Sequence, residues 1–498
     1  MDGQHRGGAL GVVACAAMAS TLIAMVERLE QAALGVADRV GVLEAPRAPP
    51  ERRVPPGPPE RRGRVLGSIG YYLNFLVDPL GYVADRFERY GDIYYAPSAD
   101  GGLYAIRHPD HLHEVLVTRA AQFDKTHTAF RRLSAVLGDG LLNSDGDRWK
   151  RHRRMIQPAF SHARVAGYAA AMVAEARAAS SRLRDGEVHD VDQEMMELTL
   201  RVVSRALFSH DAGADTATVS RAMAAFQARL ISPDLVPSWL PSPRRRHLER
   251  AIEDLDRIVY GLIAARRARA QAPDPPDLLH MLVTALDEEG DGAGLTEREV
   301  RDELVTLLLA GHETTSNALT WTWYLLSQHP AAEAKLHAEL DTVLEGRPPT
   351  LDDLDRLPYT EQVIKESMRL YPPVFMVARM ARVDTEIGGY PVPAGSEVVL
   401  WLYQTHHDAR WYPRPAAFDP ERFTPAEEAK LPRLAYAPFG AGPRTCIGKS
   451  FAMIEARLIL AALAQRFRFT LAPGQRATPA ARITLGTRHG MKMIARRR

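Results

Sequence analysis

The chain has 498 residues, 46% hydrophobic and 25% charged, which excludes an intrinsically disordered chain and a polytopic membrane protein. Lysine and arginine number 63 and aspartate and glutamate 61, so no overall charge attracts nucleic acid, and none is expected as a partner. The two cysteines, Cys15 and Cys446, lie near opposite ends, which excludes a disulfide scaffold, an iron–sulfur protein and a cysteine-rich zinc module.

The first 64 residues divide into a leader and a linker. The leader, residues 1–45, contains an uncharged run at residues 9–26 that is borderline for a transmembrane helix, because much of it is alanine, glycine, serine and threonine. A membrane-associated helix, a helix packed on protein or a disordered segment, and a signal-like segment all remain open. Residues 46–64, rich in proline and arginine, predict a stiff extended linker. We expect a cytoplasmic protein, with membrane association through residues 9–26 as the alternative.

Residues 65–498 predict one large domain that is mainly α-helical with small β-sheets. Apolar residues recur at three- and four-residue spacing in six stretches: 165–183, 195–208, 248–268, 300–326, 331–344 and 451–467. Strand-like patterns lie near glycine and proline turn signals at 92–95, 103–106, 386–387 and 397–402.

Trp149 and Arg153 are four residues apart and lie on one side of a predicted helix. An indole N–H and a guanidinium presented together suit a carboxylate ligand. The alternative is a solvated basic face, since several arginines are clustered here.

An acid and an alcohol, Glu313 and Thr314, adjoin each other within the apolar helix predicted at 300–326. They are candidates for proton delivery. Gly311 costs the helix about 1 kcal/mol relative to alanine, which suggests a flat or bulky group close to the backbone. The alternative is a threonine bonded to its own helix and a glutamate facing solvent. A zinc-protease helix is excluded, because its second histidine would fall at Ser316.

Glu366 and Arg369 share one helix face among apolar neighbours, and Arg422 could complete a buried network with them. The alternative is an exposed pair of little energetic value.

Cys446 lies in the loop Phe-Gly-Ala-Gly-Pro-Arg-Thr-Cys-Ile-Gly, just before an apolar helix. A helix start, the nearby Arg444 and glycine N–H groups predict a lowered thiol pKa. One thiolate without a neighbouring cysteine or histidine suits an axial ligand of haem iron, whereas zinc needs three or four protein ligands. An inert buried cysteine is the alternative.

In this order, these motifs resemble the cytochrome P450 family of haem-thiolate monooxygenases. The resemblance rests on Trp-x-x-x-Arg at Trp149, Ala-Gly-x-Glu-Thr-Thr at Ala310, Glu-x-x-Arg at Glu366, Pro-Glu-Arg-Phe at Pro420 and the cysteine loop at Phe439. It implies the P450 fold, with heme b between the oxygen-binding helix and the cysteine loop.

The resemblance also implies roles for individual residues. Cys446 would be the proximal iron ligand, with Phe439 near its sulfur, and Ala310 and Gly311 would face the cofactor. Glu313 and Thr314 would relay protons from water. Glu366, Arg369 and Arg422 would form a structural triad. The haem propionates would be held by Lys125, Trp149, Arg153, Arg379 and Arg444.

The implied reaction inserts one atom of O2 into a hydrophobic substrate, by hydroxylation or epoxidation. Two electrons would come from NAD(P)H through a separate ferredoxin or flavodoxin-type partner, because too few residues flank the domain for a flavin reductase. A basic patch of Lys150, Arg151, Arg154 and Lys449 is the expected docking surface. A haem-thiolate peroxygenase or isomerase and a non-catalytic haem-binding protein are the alternatives.

Five segments would face the substrate by resemblance: 126–137, 226–240, 304–308, 374–377 and 483–485. They are largely apolar, which indicates a fatty acid, terpenoid or polyketide. Arg131 or Arg132 could pair with a substrate carboxylate.

Overall fold

The structure is a computed structural model that describes residues 54–58, 78–96, 102–126, 133–134, 136–210, 218–219, 221–222, 225, 242–268, 277–287, 290 and 292–498. The leader, most of the linker, segment 226–240 and the arginines at 131 and 132 lie outside these residues. The domain division at residues 45 and 64 therefore stays a prediction. Across the described ranges, no helix combines the length and apolar character needed to cross a membrane.

The described residues form a mainly helical fold, as predicted. The α-helices are α1 (Pro79–Tyr90), α2 (Pro109–His113), α3 (Gly146–Ile156), α4 (His162–Arg182), α5 (Val191–Phe208), α6 (Pro243–Ala268), α7 (Leu278–Thr284), α8 (Glu297–Gln328), α9 (Pro330–Leu344), α10 (Pro358–Leu370), α11 (Leu402–His406), α12 (Pro425–Glu428) and α13 (Lys449–Ala464). Shorter helical turns are Glu114–Thr118, Ala120–Gln122, Gln157–Phe160, Leu351–Arg356, Pro420–Phe423 and Gly442–Arg444.

Small sheets flank this helical body. The strands are β1 (Ile93–Ala96), β2 (Leu103–Ile106), β3 (Phe123–Asp124), β4 (Val188–Asp190), β5 (Val377–Ala381), β6 (Thr385–Ile387), β7 (Tyr390–Val392), β8 (Glu397–Leu400), β9 (Phe467–Leu471), β10 (Pro479–Ala481), β11 (Leu485–Thr487) and β12 (Lys492–Arg497). The largest sheet has the order β1-β2-β8-β5-β3, β4-β12-β9 form another, and β6-β7 and β10-β11 are pairs.

Helix α8 is the central element of the core. Thr296 caps its start in a reciprocal capping box with Glu299, which satisfies backbone N–H groups that the helix itself leaves unpaired. Most of its residues are buried, because α8 packs along α5 and also contacts α10 and α13. A helix buried to this extent has neighbouring elements on most of its faces.

The five-stranded sheet brings two distant cations to one place. Strand β5 pairs with β8 so that Arg379 lies opposite Val398, and β3 pairs with β5 so that Asp124 lies opposite Met380. Lys125 directly follows β3. Lys125 and Arg379 therefore lie at the same edge of the sheet.

The predicted clamp on α10 is buried. Arg369 donates to both carboxylate oxygens of Glu366 at 2.7 Å, and both side chains have no exposed surface. Arg422 approaches Glu366 at 3.5 Å. Arg369 also donates to the carbonyls of His406 and Pro415, so it joins α10 to the end of α11 and to the loop that follows it.

Candidate active site

A cavity of about 970 Å³ lies among α8, the cysteine loop and the edge of the five-stranded sheet. Its wall includes ten of the predicted site residues: Lys125, Trp149, Arg153, Ala310, Glu313, Thr314, Arg379, Phe439, Arg444 and Cys446. The cavity is large enough for a cofactor and a small organic substrate together.

The cysteine loop is shaped by its own backbone. The N–H of Cys446 donates to the carbonyl of Phe439 at 2.9 Å. Gly442 has φ 69°, and a Cβ there would lie 1.8 Å from the carbonyl oxygen of Leu116, so this position requires glycine. The loop therefore turns tightly and presents the thiol of Cys446 to the cavity just before α13.

The thiol pKa differs from the sequence prediction. Although the side chain is exposed to the cavity, the surrounding protein desolvates it and raises the pKa of Cys446. The N–H of Gly448 and the charges of Arg153 and Lys449 oppose this rise without cancelling it. The predicted lowering was wrong for the protein alone, because burial outweighs the helix start and the nearby cations. A thiol that coordinates a metal loses its proton regardless.

Arg444 is anchored beside the cavity. It donates to the carbonyl of Ser144 at 2.9 Å and pairs with the carboxylate of Asp145. Its guanidinium carbon lies 4.1 Å from the centre of the Trp149 ring, a cation–π contact. The predicted partners Trp149 and Arg444 are therefore in direct contact.

Two further cations bond to the backbone of the site. Arg153 donates to the carbonyl of Thr445 at 3.0 Å, which ties α3 to the residue before the cysteine. The ammonium of Lys125 donates to the carbonyl of Leu142 at 2.9 Å.

The cations at this edge have lowered pKa values. Burial and the charge of Arg444 lower the pKa of Arg379 to about 10. Burial, Arg379 and Arg444 together hold the pKa of Lys125 well below its ordinary value. The carboxylate of Asp145 opposes both shifts without cancelling them. This part of the cavity therefore suits an anionic ligand.

These observations fit a haem better than a metal ion held by protein alone. Within the described ranges, no group of three or more histidine, cysteine, aspartate or glutamate side chains could hold a metal ion. A single thiol opposite a long helix, with buried cations at one edge, matches a porphyrin that supplies four ligands and carries two carboxylates.

The acid and the alcohol of α8 have defined partners. The hydroxyl of Thr314 donates to the carbonyl of Ala310 at 2.8 Å, as the alternative interpretation of the sequence predicted. Glu313 does not face solvent: it is buried and accepts a hydrogen bond from Thr484. Thr484 in turn accepts from the amide of Asn317 at 3.0 Å. Sequence reasoning missed this link, although the four-residue spacing of Glu313 and Asn317 placed them on one helix face.

Gly311 lies at the contact of α8 with α5. A Cβ built there would lie 3.2 Å from a methyl carbon of Val203 on α5, so the glycine makes room for the neighbouring helix. It does not line the cavity, whereas Ala310 does. Contact of Gly311 with the cofactor therefore stays a prediction.

Comparison with known proteins agrees with this geometry. The model of the family described as Cytochrome P450 matches residues 56–488. The chain belongs to the cytochrome P450 family. It is 37% identical to Cyclooctatin synthase of Streptomyces melanosporofaciens over 86% of this chain and 94% of that protein. Cyclooctat-9-en-7-ol 5-monooxygenase of the same organism is also 37% identical, over 86% of this chain and 94% of that protein. Pentalenene oxygenase of Streptomyces avermitilis is 32% identical over 84% of this chain and 92% of that protein.

Family membership and these relatives establish the reaction class of this P450. It is a haem-thiolate monooxygenase that contains heme b and inserts one atom of O2 into a hydrophobic substrate. Its electrons come from NAD(P)H through a redox partner.

The predicted basic patch of this P450 is smaller than expected. Arg154 pairs with Asp287 at 2.8 Å, and Arg151 lies 3.7 Å from Asp287 and 3.5 Å from Glu299. Because these arginines are engaged by acids, they contribute little free positive charge.

Proposed function

We propose that Cys446 is the thiolate ligand of the haem iron and that Phe439 packs beside it. The cations Lys125, Arg153, Arg379 and Arg444, with Trp149, would hold the haem propionates. The observation that carries this proposal is one cavity with a single thiol on its wall and buried cations of lowered pKa at its edge. When bound, haem supplies the iron at which O2 is activated, with the thiolate donating electron density to it.

Replacing the two cysteines separately tests the ligand. We expect Cys446→Ala to lose the red-shifted absorbance band of the reduced, CO-bound protein, because that band requires a thiolate ligand. Cys15→Ala is the matched control and should keep the band. A Cys446→Ala protein with the full band would overturn the assignment.

Glu313 and Thr314 would deliver protons within the cavity. Since the hydroxyl proton of Thr314 is directed at the carbonyl of Ala310, its oxygen can accept a hydrogen bond from water on the cavity side. The carboxyl of Glu313 exchanges the proton, held in place by Thr484. The intact acid–alcohol pair favours a monooxygenase over the peroxygenase or isomerase alternative.

We infer that the substrate is an apolar terpenoid. The cavity wall away from the cations carries aliphatic side chains, among them Leu133, Leu137, Leu307, Val374, Met376 and Ile483. Two relatives are named for oxidation of cyclooctat-9-en-7-ol and pentalenene, an alkenol and an alkene. A spin-shift titration should give tighter dissociation constants for such compounds than for fatty acids of equal size. Tighter binding of fatty acids would contradict this proposal.

The redox partner would be an acidic ferredoxin or flavodoxin that docks near the cysteine loop, with the enzyme in the cytoplasm. The exposed lysines of the predicted patch are Lys150, which pairs with the exposed Asp147 at 3.0 Å, and Lys449, at the start of α13. The double variant Lys150→Glu, Lys449→Glu should slow reduction and leave the haem spectrum unchanged. Unchanged reduction kinetics would contradict this docking surface.

A further inference from the structure

We propose that Thr484 is a positioning residue for Glu313, and that it couples the shape of the bound substrate to proton delivery. The inference rests on the proposed role of Glu313 as the proton-exchanging acid. Thr484 lies in the turn between β10 and β11, whereas Glu313 lies on α8. Their hydrogen bond therefore joins two separate walls of the cavity.

One face of α8 contacts the hairpin formed by β10 and β11. Glu313, Asn317 and Trp321 follow at four-residue intervals, so they lie on one helix face. Glu313 and Asn317 both bond to the hydroxyl of Thr484, and the indole N–H of Trp321 donates to the carbonyl of Leu485 at 3.1 Å. All of these side chains are buried. Three consecutive contacts thus fix the hairpin against α8.

The direction of these hydrogen bonds fixes the carboxyl group. The Asn317 amide donates to Thr484 Oγ1, so the single hydroxyl proton of Thr484 remains for Glu313 Oε1. This hydrogen bond restrains the orientation of the Glu313 carboxyl group. Thr484 is therefore placed to position the acid of α8.

The same hairpin reaches the substrate space. Ile483, directly before Thr484, lines the cavity. The N–H of Leu485, directly after it, donates to the carbonyl of Pro373 at 2.9 Å, and Val374 also lines the cavity. A substrate that displaces Ile483 would therefore move the hydroxyl of Thr484 and with it the carboxyl of Glu313.

Thr484→Val tests this inference, because valine keeps the shape and removes the hydroxyl. Thr484→Ser, which keeps the hydroxyl, is the matched control. With pentalenene as the probe substrate, we expect Thr484→Val to yield severalfold less product per NAD(P)H and correspondingly more hydrogen peroxide. The serine variant should stay within twofold of wild type. The spin-shift dissociation constant and the CO-bound spectrum should be unchanged in both variants.

A double-mutant cycle of unfolding temperatures, measured on the haem-loaded protein, tests the hydrogen bond without any measurement of activity. We expect Thr484→Val to lower the unfolding temperature of wild type more than that of Glu313→Leu, in which the acceptor of the Thr484 hydroxyl is already absent. Additive shifts would overturn the inference.

The experiments distinguish failure of the role proposed for Thr484 from failure of the role proposed for Glu313. If Glu313→Gln lowers product yield and Thr484→Val does not, Thr484 has no positioning role and the role of Glu313 stands. If Glu313→Gln has no effect on yield, the proposed acid is wrong. If Thr484→Ser fails to restore the yield, the hydroxyl is not the cause and the inference also fails.

Discussion

At the scale of single residues, the buried Arg379 bears most directly on the proposed haem site. Its side chain is 9% exposed, and its guanidinium donates to the carbonyl of the adjacent Ala378 at 2.8 Å. A buried charge without a full counter-charge costs free energy, and a partner that supplies the counter-charge recovers it. The protein without haem therefore carries a destabilising charge that the propionates would neutralise.

Arg379→Leu should separate stability from cofactor binding. We expect the apoprotein to be at least as stable as wild type, because a buried cation is removed. We expect haem to bind about tenfold more weakly, or about 1.4 kcal/mol. Transfer of haem to an excess of apomyoglobin measures its loss, and urea unfolding measures stability. Arg382→Leu, at an exposed position just after the same strand, is the control. Equal rates of haem loss from both variants would contradict a role of Arg379 in haem binding.

At the scale of elements, α3 and α8 are joined by a buried acid–base pair. His152 on α3 bonds to Glu303 on α8 at 2.6 Å, and neither side chain is exposed. The second oxygen of Glu303 accepts from the N–H of Leu141 at 3.1 Å. Glu303 therefore holds both the helix that carries Trp149 and the loop that lines the cavity.

Glu303→Gln should weaken this joint. Breaking a buried charged pair by changing one partner costs about 3–5 kcal/mol. We expect a lower unfolding temperature and faster haem loss. Glu297→Gln, on the same helix but in an exposed pair with Arg267, should change neither. An unfolding temperature equal to that of the control would contradict the role of Glu303.

The stabilising effect of this pair should depend on pH. Burial opposes a charge on His152, but its bonds to Glu303 and Glu299 outweigh burial and raise the pKa of His152. A histidine with a raised folded pKa stabilises the fold fully below its unfolded value of about 6.5, and the contribution is lost as pH rises through the folded value. The difference in unfolding temperature between wild type and Glu303→Gln should therefore shrink above about pH 6.5. A difference that grows with pH would contradict this assignment.

Local signals located the helices and motifs well. The period of the apolar residues placed α8 at 300–326, and the helix extends from Glu297 to Gln328. The wall residues were identifiable because the motifs of the family are local in sequence. Two pairings join residues far apart in the chain: His152 with Glu303 and Thr484 with Glu313. No local sequence pattern predicts either pairing. The pKa of Cys446 was mispredicted for the same reason, since burial is a property of the whole fold.

At the scale of the whole molecule, the buried Glu366–Arg369 pair connects the helical body to the loops before the cysteine. Arg369 donates to carbonyls at His406, Pro415 and Ala417 besides its carboxylate partner. Few surface pairs stabilise a protein measurably, but a buried bidentate pair with every donor engaged fixes the relative position of its segments. The cysteine loop is thus supported from the same core as α8.

The pairing of β3 with β5 has a consequence for biosynthesis. Phe123 pairs with Ala381, so the sheet edge with Lys125 and Arg379 closes only after a long intervening chain has been made. Contacts between residues distant in sequence form slowly, since the entropy of loop closure must be overcome first. Because Cys446 follows even later in the chain, haem capture would come only after the residues from Lys125 to Cys446 have been synthesised.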